Sequence, residues 1–206
     1  MSAVEILAAE VATLLDTAPS RILVGITGPP GAGKSTVAQE LLNRFEGASY
    51  VPMDGFHLSN AVLEALGRRE RKGAIDTFDA AGYLAALRRI AEEYGGGDVY
   101  VPAFERRLDE PVAAGHVVPA ASRLVLTEGN YLALPDGDWA GILPLLNRLY
   151  YVDCPAPVRR VRLVQRHIDG GRTPQAAHAW VDMVDEPNAR LIETSKARCD
   201  LVVDGC

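Results

Sequence analysis

Apolar residues recur at helical spacing near the start of the chain. Val4, Leu7, Ala8, Val11, Leu14 and Leu15 share one face of a helix predicted over residues 2–16. Ser2 followed by Glu5 supplies a capping box at its head, satisfying two backbone N–H groups that the helix cannot pair internally. The pattern then changes. Arg21-Ile22-Leu23-Val24-Gly25-Ile26-Thr27 is a short run rich in branched apolar residues, as expected for a strand buried on both faces. A Gly/Pro loop over 28–33 and a helix over 34–45 follow, then a second strand over 49–53 with Asp54 at its end. Further strands are predicted at Val99–Phe104, Arg123–Thr127, Leu149–Val152 and Leu201–Val203, with helical patterns over 79–94, 156–168 and 174–197. Strands alternating with helices predict one α/β domain spanning 1–206, with a mostly parallel sheet and helices on both faces. Gly95-Gly96-Gly97 reads as a loop tip within that domain, not as a linker.

Composition narrows the class. With 206 residues, 48% of them apolar, the chain can bury a core without help from a disulfide or a structural metal. A net charge of −6 argues against a protein whose main task is to hold nucleic acid, although a local basic pocket fits within it. The basic residues themselves are skewed, because all but Lys34, Lys72 and Lys196 are arginines. Met1-Ser2-Ala3-Val4-Glu5 lacks the basic n-region and apolar stretch of a signal peptide. No apolar run approaches the ~18–20 residues of a membrane span, so no membrane partner is expected. Cys154, Cys199 and Cys206 are odd in number and lack C-x-x-C spacing. That predicts neither zinc nor a disulfide, but unpaired thiols in a reducing cytoplasm. Trp139 and Trp180 read as packing residues.

One motif carries specific chemistry. Gly28-Pro29-Pro30-Gly31-Ala32-Gly33-Lys34-Ser35-Thr36 matches G-x-x-x-x-G-K-[ST] in full, between a predicted strand and a predicted helix. Small residues let the backbone curl so that successive N–H groups point at phosphate oxygens, beside a helix N-terminus with partial positive charge. Gly28, Gly31, Ala32, Gly33, Lys34, Ser35 and Thr36 are therefore the candidate nucleotide-binding residues. Lys34 would reach the β- and γ-phosphates, and the Ser35 hydroxyl would ligate Mg²⁺. The loop alone leaves open whether the γ-phosphate goes to water, to a partner-coupled cycle or to a substrate. In open parallel sheets the ligand crevice lies at the carboxyl ends of the strands. Two acids sit at such ends: Asp54 after Tyr50-Val51-Pro52-Met53, and Glu128 after Leu124-Val125-Leu126-Thr127.

These acids belong to longer signatures. Met53-Asp54-Gly55-Phe56-His57 with Asn60, then Arg71-Lys72-Gly73 and Asp76-Thr77-Phe78-Asp79, resembles the P-loop kinase superfamily of uridine kinase, pantothenate kinase and phosphoribulokinase. Thr127-Glu128-Gly129-Asn130-Tyr131 is similar to that family's second acidic motif, and the resemblance spans about residues 21–203. The chain also resembles small bacterial proteins labelled as fructose-transport-system or nucleoside kinases. The resemblance implies a P-loop NTPase fold with a helical lid, ATP and Mg²⁺ as cofactors, Asp54 as the base facing an acceptor hydroxyl, and Glu128 on the Mg²⁺ side.

The acceptor and the lid follow from the same likeness. His57, Arg106, Asn130 and Tyr131 are the expected acceptor contacts, although Ala103-Phe104-Glu105-Arg106-Arg107 departs from the patterns of uridine and pantothenate kinases. Arg162 and Arg166 lie four residues apart on one face of a predicted helix. With Arg159 and Arg172 they resemble the lid, over about 159–173, whose guanidinium groups would close on a transferring phosphoryl group. Asp185-Glu186-Pro187-Asn188 is a weaker candidate for framing the adenine. The expected function is transfer of the γ-phosphate to an alcohol of a small metabolite: a sugar, a nucleoside or a pantothenate-like compound. Two alternatives stand beside it. One is a nucleotide kinase with a phosphate acceptor, which Arg68, Arg69 and Arg71 would serve. The other is a regulatory P-loop NTPase switch acting on a protein partner. The sequence leaves room for a homodimer.

Overall fold

The structure, a computed structural model, describes residues 2–206. Met1, where the signal-peptide reading began, lies outside them. Among the described residues the chain runs α1 (Ala3–Thr17), β1 (Ile22–Thr27), α2 (Lys34–Arg44), β2 (Ser49–Pro52), α3 (Asn60–Ala65), α4 (Ala80–Glu92), β3 (Val99–Glu105) and β4 (Glu110–Val118). It continues through β5 (Leu124–Glu128), β6 (Arg148–Asp153), α5 (Ala156–Asp169), α6 (Pro174–Trp180), α7 (Glu186–Glu193) and β7 (Leu201–Asp204). The Ser2–Glu5 capping box starts α1 as expected. None of the described helices is long and apolar enough to cross a membrane.

Five strands form a parallel sheet in the order β2-β5-β1-β6-β7. Every residue of β1 is buried, because β1 is the central strand and both its faces are covered. Ile22, Val24 and Ile26 point to one face, where they pack with Leu7 and Val11 of α1 and Leu41 of α2. Leu23 points to the other, toward Leu87 of α4, Trp139 and Ile192 of α7. The parallel arrangement aligns the carboxyl ends of the strands. Pro52 of β2 and Ile26 of β1 both sit in register with Glu128 of β5, so the phosphate loop and both strand-end acids share one edge.

Three elements differ from expectation. Residues 99–104 do not join the parallel sheet, because β3 pairs antiparallel with β4 in a separate ribbon. Pro102 marks an irregularity in that ribbon: proline cannot donate to a ladder, and the β3–β4 register slips between Val101 and Ala103. The alternation of buried Val99 and Val101 with exposed Tyr100 is likewise that of a one-faced ribbon. The helical run predicted over 174–197 is interrupted at Val181–Asp185 by a π-helical turn, immediately before Pro187. A wider turn there relieves the clash that proline imposes on the preceding helical turn. Finally, Cys154 and Cys206 form a disulfide, contrary to the expectation of unpaired thiols. They follow the ends of neighbouring strands β6 and β7, where Asp153 is in register with Asp204, and their Cα atoms lie 5.8 Å apart. Spacing along the chain carries no information about such a register. Cys199 is free.

Leu7 is fully buried between α1 and the sheet. Leu7→Ala should lower the unfolding free energy by about 2–5 kcal/mol in urea titrations. A loss well under about 1 kcal/mol would show that α1 is not docked as described.

Candidate active site

The loop after β1 wraps the N-terminus of α2. Gly28 has φ 144°, and a Cβ there would lie 2.3 Å from the Val152 carbonyl oxygen of β6. Gly31 has φ 77° and is backed by the Arg159 carbonyl of α5, which a Cβ would approach to 3.0 Å. Glycine is therefore required at both positions by backbone angle and by space. Gly33 caps α2, and Ser35 and Thr36 open its first turn. Lys34 is 8% exposed, and its Nζ donates to the Pro29 carbonyl at 3.0 Å. Burial lowers its pKa to about 8, opposed by the negative charges of Glu128 and Asp54.

Glu128 faces that lysine from the next strand. Its Oε1 accepts from the Tyr50 hydroxyl at 2.9 Å and from Ser35 Oγ at 3.3 Å. Burial, and then the nearby Asp54 charge, raise its pKa, while Lys34 and the two hydroxyl donors pull it down. Asp54 lies in the 3₁₀ turn Met53–Phe56 directly after β2. Among the described residues no group of three or more His, Cys, Asp or Glu gathers as a metal cage. One hydroxyl and two acids beside a phosphate loop nevertheless fit Mg²⁺, which binds through one or two carboxylates, waters and substrate phosphates.

The site opens into a cleft of about 1720 Å³ lined by Lys34, Asp54, His57, Asn130, Arg106 and Arg166, among others. His57 stacks between Phe78 and Phe104, with ring centroids at 3.9 and 4.9 Å. Burial lowers its pKa against the opposing pull of Asp54, so the ring is neutral at pH 7. Its Nδ1 lies 2.8 Å from the Asp54 carbonyl oxygen and donates to it, which leaves a lone pair on Nε2. Asn130 is anchored through its own carbonyl, which accepts from Thr27 Oγ1 at 3.1 Å. Tyr131 does not contact the acceptor space. It is fully buried against Phe78 and Trp139, and its hydroxyl donates to the Gly73 carbonyl at 2.6 Å. The aromatic ring makes it a core residue that ties down the Lys72-Gly73 loop.

Partners decide what the arginines do. Arg68 and Arg71 pair with Asp76, and Arg69 pairs with Asp109, so the 68–71 cluster is satisfied internally. Arg159 is 1% exposed, with its Nε donating to the Cys154 carbonyl and its guanidinium near Glu186 and Glu193. It faces away from the cleft, on the core side of α5, and is not a lid residue. Arg162 and Arg166 do line the cleft. Arg162 Nη1 donates to the Gly205 carbonyl at 3.1 Å and to that of Gly31 at 3.3 Å.

The helices after α5 supply residues that the sequence reading placed elsewhere. Arg172 stacks 3.7 Å over the Trp180 ring, and both line the cleft, so Trp180 is a rim residue and not core. Asp185 bonds His167 at 2.7 Å, and Asn188 Nδ2 donates to the Gly73 carbonyl at 3.0 Å. Asn188 therefore ties the helix to the acceptor-side loop, and it lines the cleft together with Asp185. The signal for this was Pro187 inside a helical run, with an acid and an amide on either side of it.

The neutral His57 has a direct test. A nitrogen-15 NMR titration should show the Nδ1–H tautomer persisting to lower pH than the neutral form of an unperturbed imidazole of pKa 6.5. Because folding lowers this pKa, the unfolded chain binds the extra proton first, and stability falls as pH drops below about 6.5. A His57 midpoint at or above 6.5 would contradict the buried, neutral assignment.

Comparison with known proteins agrees with this geometry. Over 190 residues the chain is 35% identical to YggC of Escherichia coli K12, covering 89% of this chain and 78% of the relative. Over 195 residues it is 31% identical to a Schizosaccharomyces pombe protein named "putative uridine kinase C227.14", covering 89% and 83%. A crystal structure described as a "putative fructose transport system kinase" from Silicibacter sp. TM1040 superposes with a TM-score of 0.88 at 34% identity. That match covers 98% of this chain and 99% of the other. The sequence profile of the Phosphoribulokinase / Uridine kinase family matches residues 23–206. The chain is a P-loop kinase and belongs to the Phosphoribulokinase / Uridine kinase family.

Proposed function

We propose that the protein transfers the γ-phosphate of ATP, with Mg²⁺, to an alcohol group of a small metabolite. The observation that carries this reading is the pairing of Asp54 and Glu128 at the ends of neighbouring strands, opposite Lys34, with neutral His57 beside Asp54. The two acids have different surroundings and suit different tasks. Glu128 is bonded to Ser35, the hydroxyl that would hold Mg²⁺, and serves the metal side. Asp54 opens onto the acceptor space, where it can accept a proton from an attacking hydroxyl. A carboxylate is a weak base, yet in a loose transition state the hydroxyl loses its proton late, so positioning matters more than basicity.

Mg²⁺ would neutralise charge on the β- and γ-phosphate oxygens. Lys34 and the loop N–H groups would bind the same phosphates, while Arg162 and Arg166 would reach them from the lid segment on α5. The arginines expected to serve a nucleotide kinase's phosphate acceptor, Arg68, Arg69 and Arg71, are engaged with Asp76 and Asp109. Asp54 would also repel an anionic acceptor oxygen. A switch acting on a protein partner would need no carboxylate at that position.

Asp54→Asn should lower kcat by about a hundredfold or more while leaving ATP affinity within about twofold. Full turnover in this variant would remove Asp54 from the chemistry. Glu128→Gln should raise the Mg²⁺ concentration needed for half-maximal rate, read as ADP release at fixed ATP. A coupled ADP assay over sugars, nucleosides and vitamin precursors, with Lys34→Ala as the blank, tests the reading as a whole. ADP release indifferent to every small acceptor but stimulated by a protein would favour the switch.

A further inference from the structure

The acceptor half of the cleft presents two cations that the protein itself does not neutralise. Arg106 and Arg107 lie at the tip of the β3–β4 hairpin and line the cleft. Among the described residues neither guanidinium has a carboxylate within ion-pairing distance, although three acids stand within four residues of them. Each of those acids accepts from a group other than the two guanidiniums. Asp109 takes Arg69 at 3.1 Å and Lys72 at 3.2 Å. Glu110 accepts the Asn60 backbone N–H at 3.0 Å, and Glu105 accepts that of Arg107 at 3.0 Å.

Arg106 and Arg107 are themselves exposed, but the base of the tip at Asp109 is braced. Asp109 adopts φ 53°, and its carbonyl accepts from Asn60 Nδ2 at 3.1 Å and from the buried Lys72 ammonium. Lys72 donates as well to Asn60 Oδ1 at 2.8 Å and lies 5.0 Å from the Phe104 ring. Phe104 in turn packs on His57. A buried lysine thus fixes the hairpin against the acceptor loop and, with Arg69, occupies Asp109, one of the acids beside the tip arginines.

The two ends of the acceptor space are therefore chemically distinct. Asp54 and the Nε2 lone pair of His57 both accept hydrogen bonds, which suits hydroxyl groups. Arg106 and Arg107 offer only donors and positive charge. We propose that the acceptor is an anionic hydroxy compound, whose carboxylate or phosphate is held by Arg106 and Arg107 while its hydroxyl faces Asp54. This rests on the alcohol-kinase reading and adds the charge of the substrate to it.

Matched pairs of acceptors test it: glycerol against glycerate for a carboxylate, and ribose against ribose 5-phosphate for a phosphate. Two readouts are used, ADP release with Mg·ATP, and calorimetric binding with the nucleotide site saturated by a non-hydrolysable ATP analogue. The charged member of at least one pair should exceed its neutral partner by about tenfold or more in kcat/KM and in affinity, and which pair responds identifies the anion. The double variant Arg106→Ala/Arg107→Ala should bring that ratio close to one while leaving affinity for the ATP analogue unchanged. Equal or better use of the neutral members overturns the inference. So does failure of both charged members to bind, or binding that the double variant leaves intact. Charged-member binding that the double variant abolishes, with no acceptor-dependent ADP release, would uphold the anion site and refute the alcohol-kinase reading instead.

Discussion

Two carboxylates at the ends of neighbouring strands stand within electrostatic reach of one buried ammonium, and much of the site's architecture manages that crowding. Glu128 sits in a region where burial and the Asp54 charge both disfavour its ionised form. The Ser35 and Tyr50 hydroxyls and the positive charge of Lys34 oppose that penalty. Lys34 experiences the mirror image, with burial lowering its pKa and the two acids restoring part of its affinity for the proton. A charged centre of this kind is tolerated in a protein interior only when its members are paired and hydrogen-bonded. Because parallel register aligns Ile26, Pro52 and Glu128, the sheet itself sets the spacing on which this balance depends.

The parts of the site written into contiguous residues were legible in the sequence. The phosphate loop, the acids at the ends of β2 and β5, and the Ser2–Glu5 cap of α1 each depend on local spacing. Asp54 and Glu128 could be matched to one another only by assuming a common sheet, which the alternating pattern justified. The features that escaped depend on contacts far apart in the chain. Cys154 meets Cys206 through the β6–β7 register. Tyr131 turns into an aromatic cluster because Trp139 and Phe78 are there to receive it. The β4 strand carries Ala113, Ala114 and Gly115 on an exposed stretch, so no hydrophobic alternation announced it.

Charge counts proved a poor guide to charge function. The arginine-rich composition looked like a reservoir for phosphate, and Arg162 and Arg166 fit that description. Others collect backbone carbonyls instead. Arg21 is 5% exposed and donates to the carbonyls of Ile90, Ser122, Pro119 and Ala120, joining β1 to the chain ends around α4 and β5. Arg198 likewise donates to Ala133. A planar fork with five donors suits this work better than the compact ammonium of lysine. Whether an arginine serves structure or ligand is set by the acceptors around it, which composition does not reveal.

The strand order has an implication for how such a protein can diversify. The phosphate loop is delivered by the middle strand, flanked on both sides and covered on both faces, so substitutions near it disturb the most heavily constrained part of the molecule. Asp54 follows the outermost strand, and the hairpin tip belongs to a ribbon outside the sheet altogether. Changes to the ribbon can alter what is recognised without touching the machinery that handles the nucleotide. Descendants of one ancestor could therefore inherit a fixed phosphate-handling half and acquire new substrates by remodelling a two-stranded appendage.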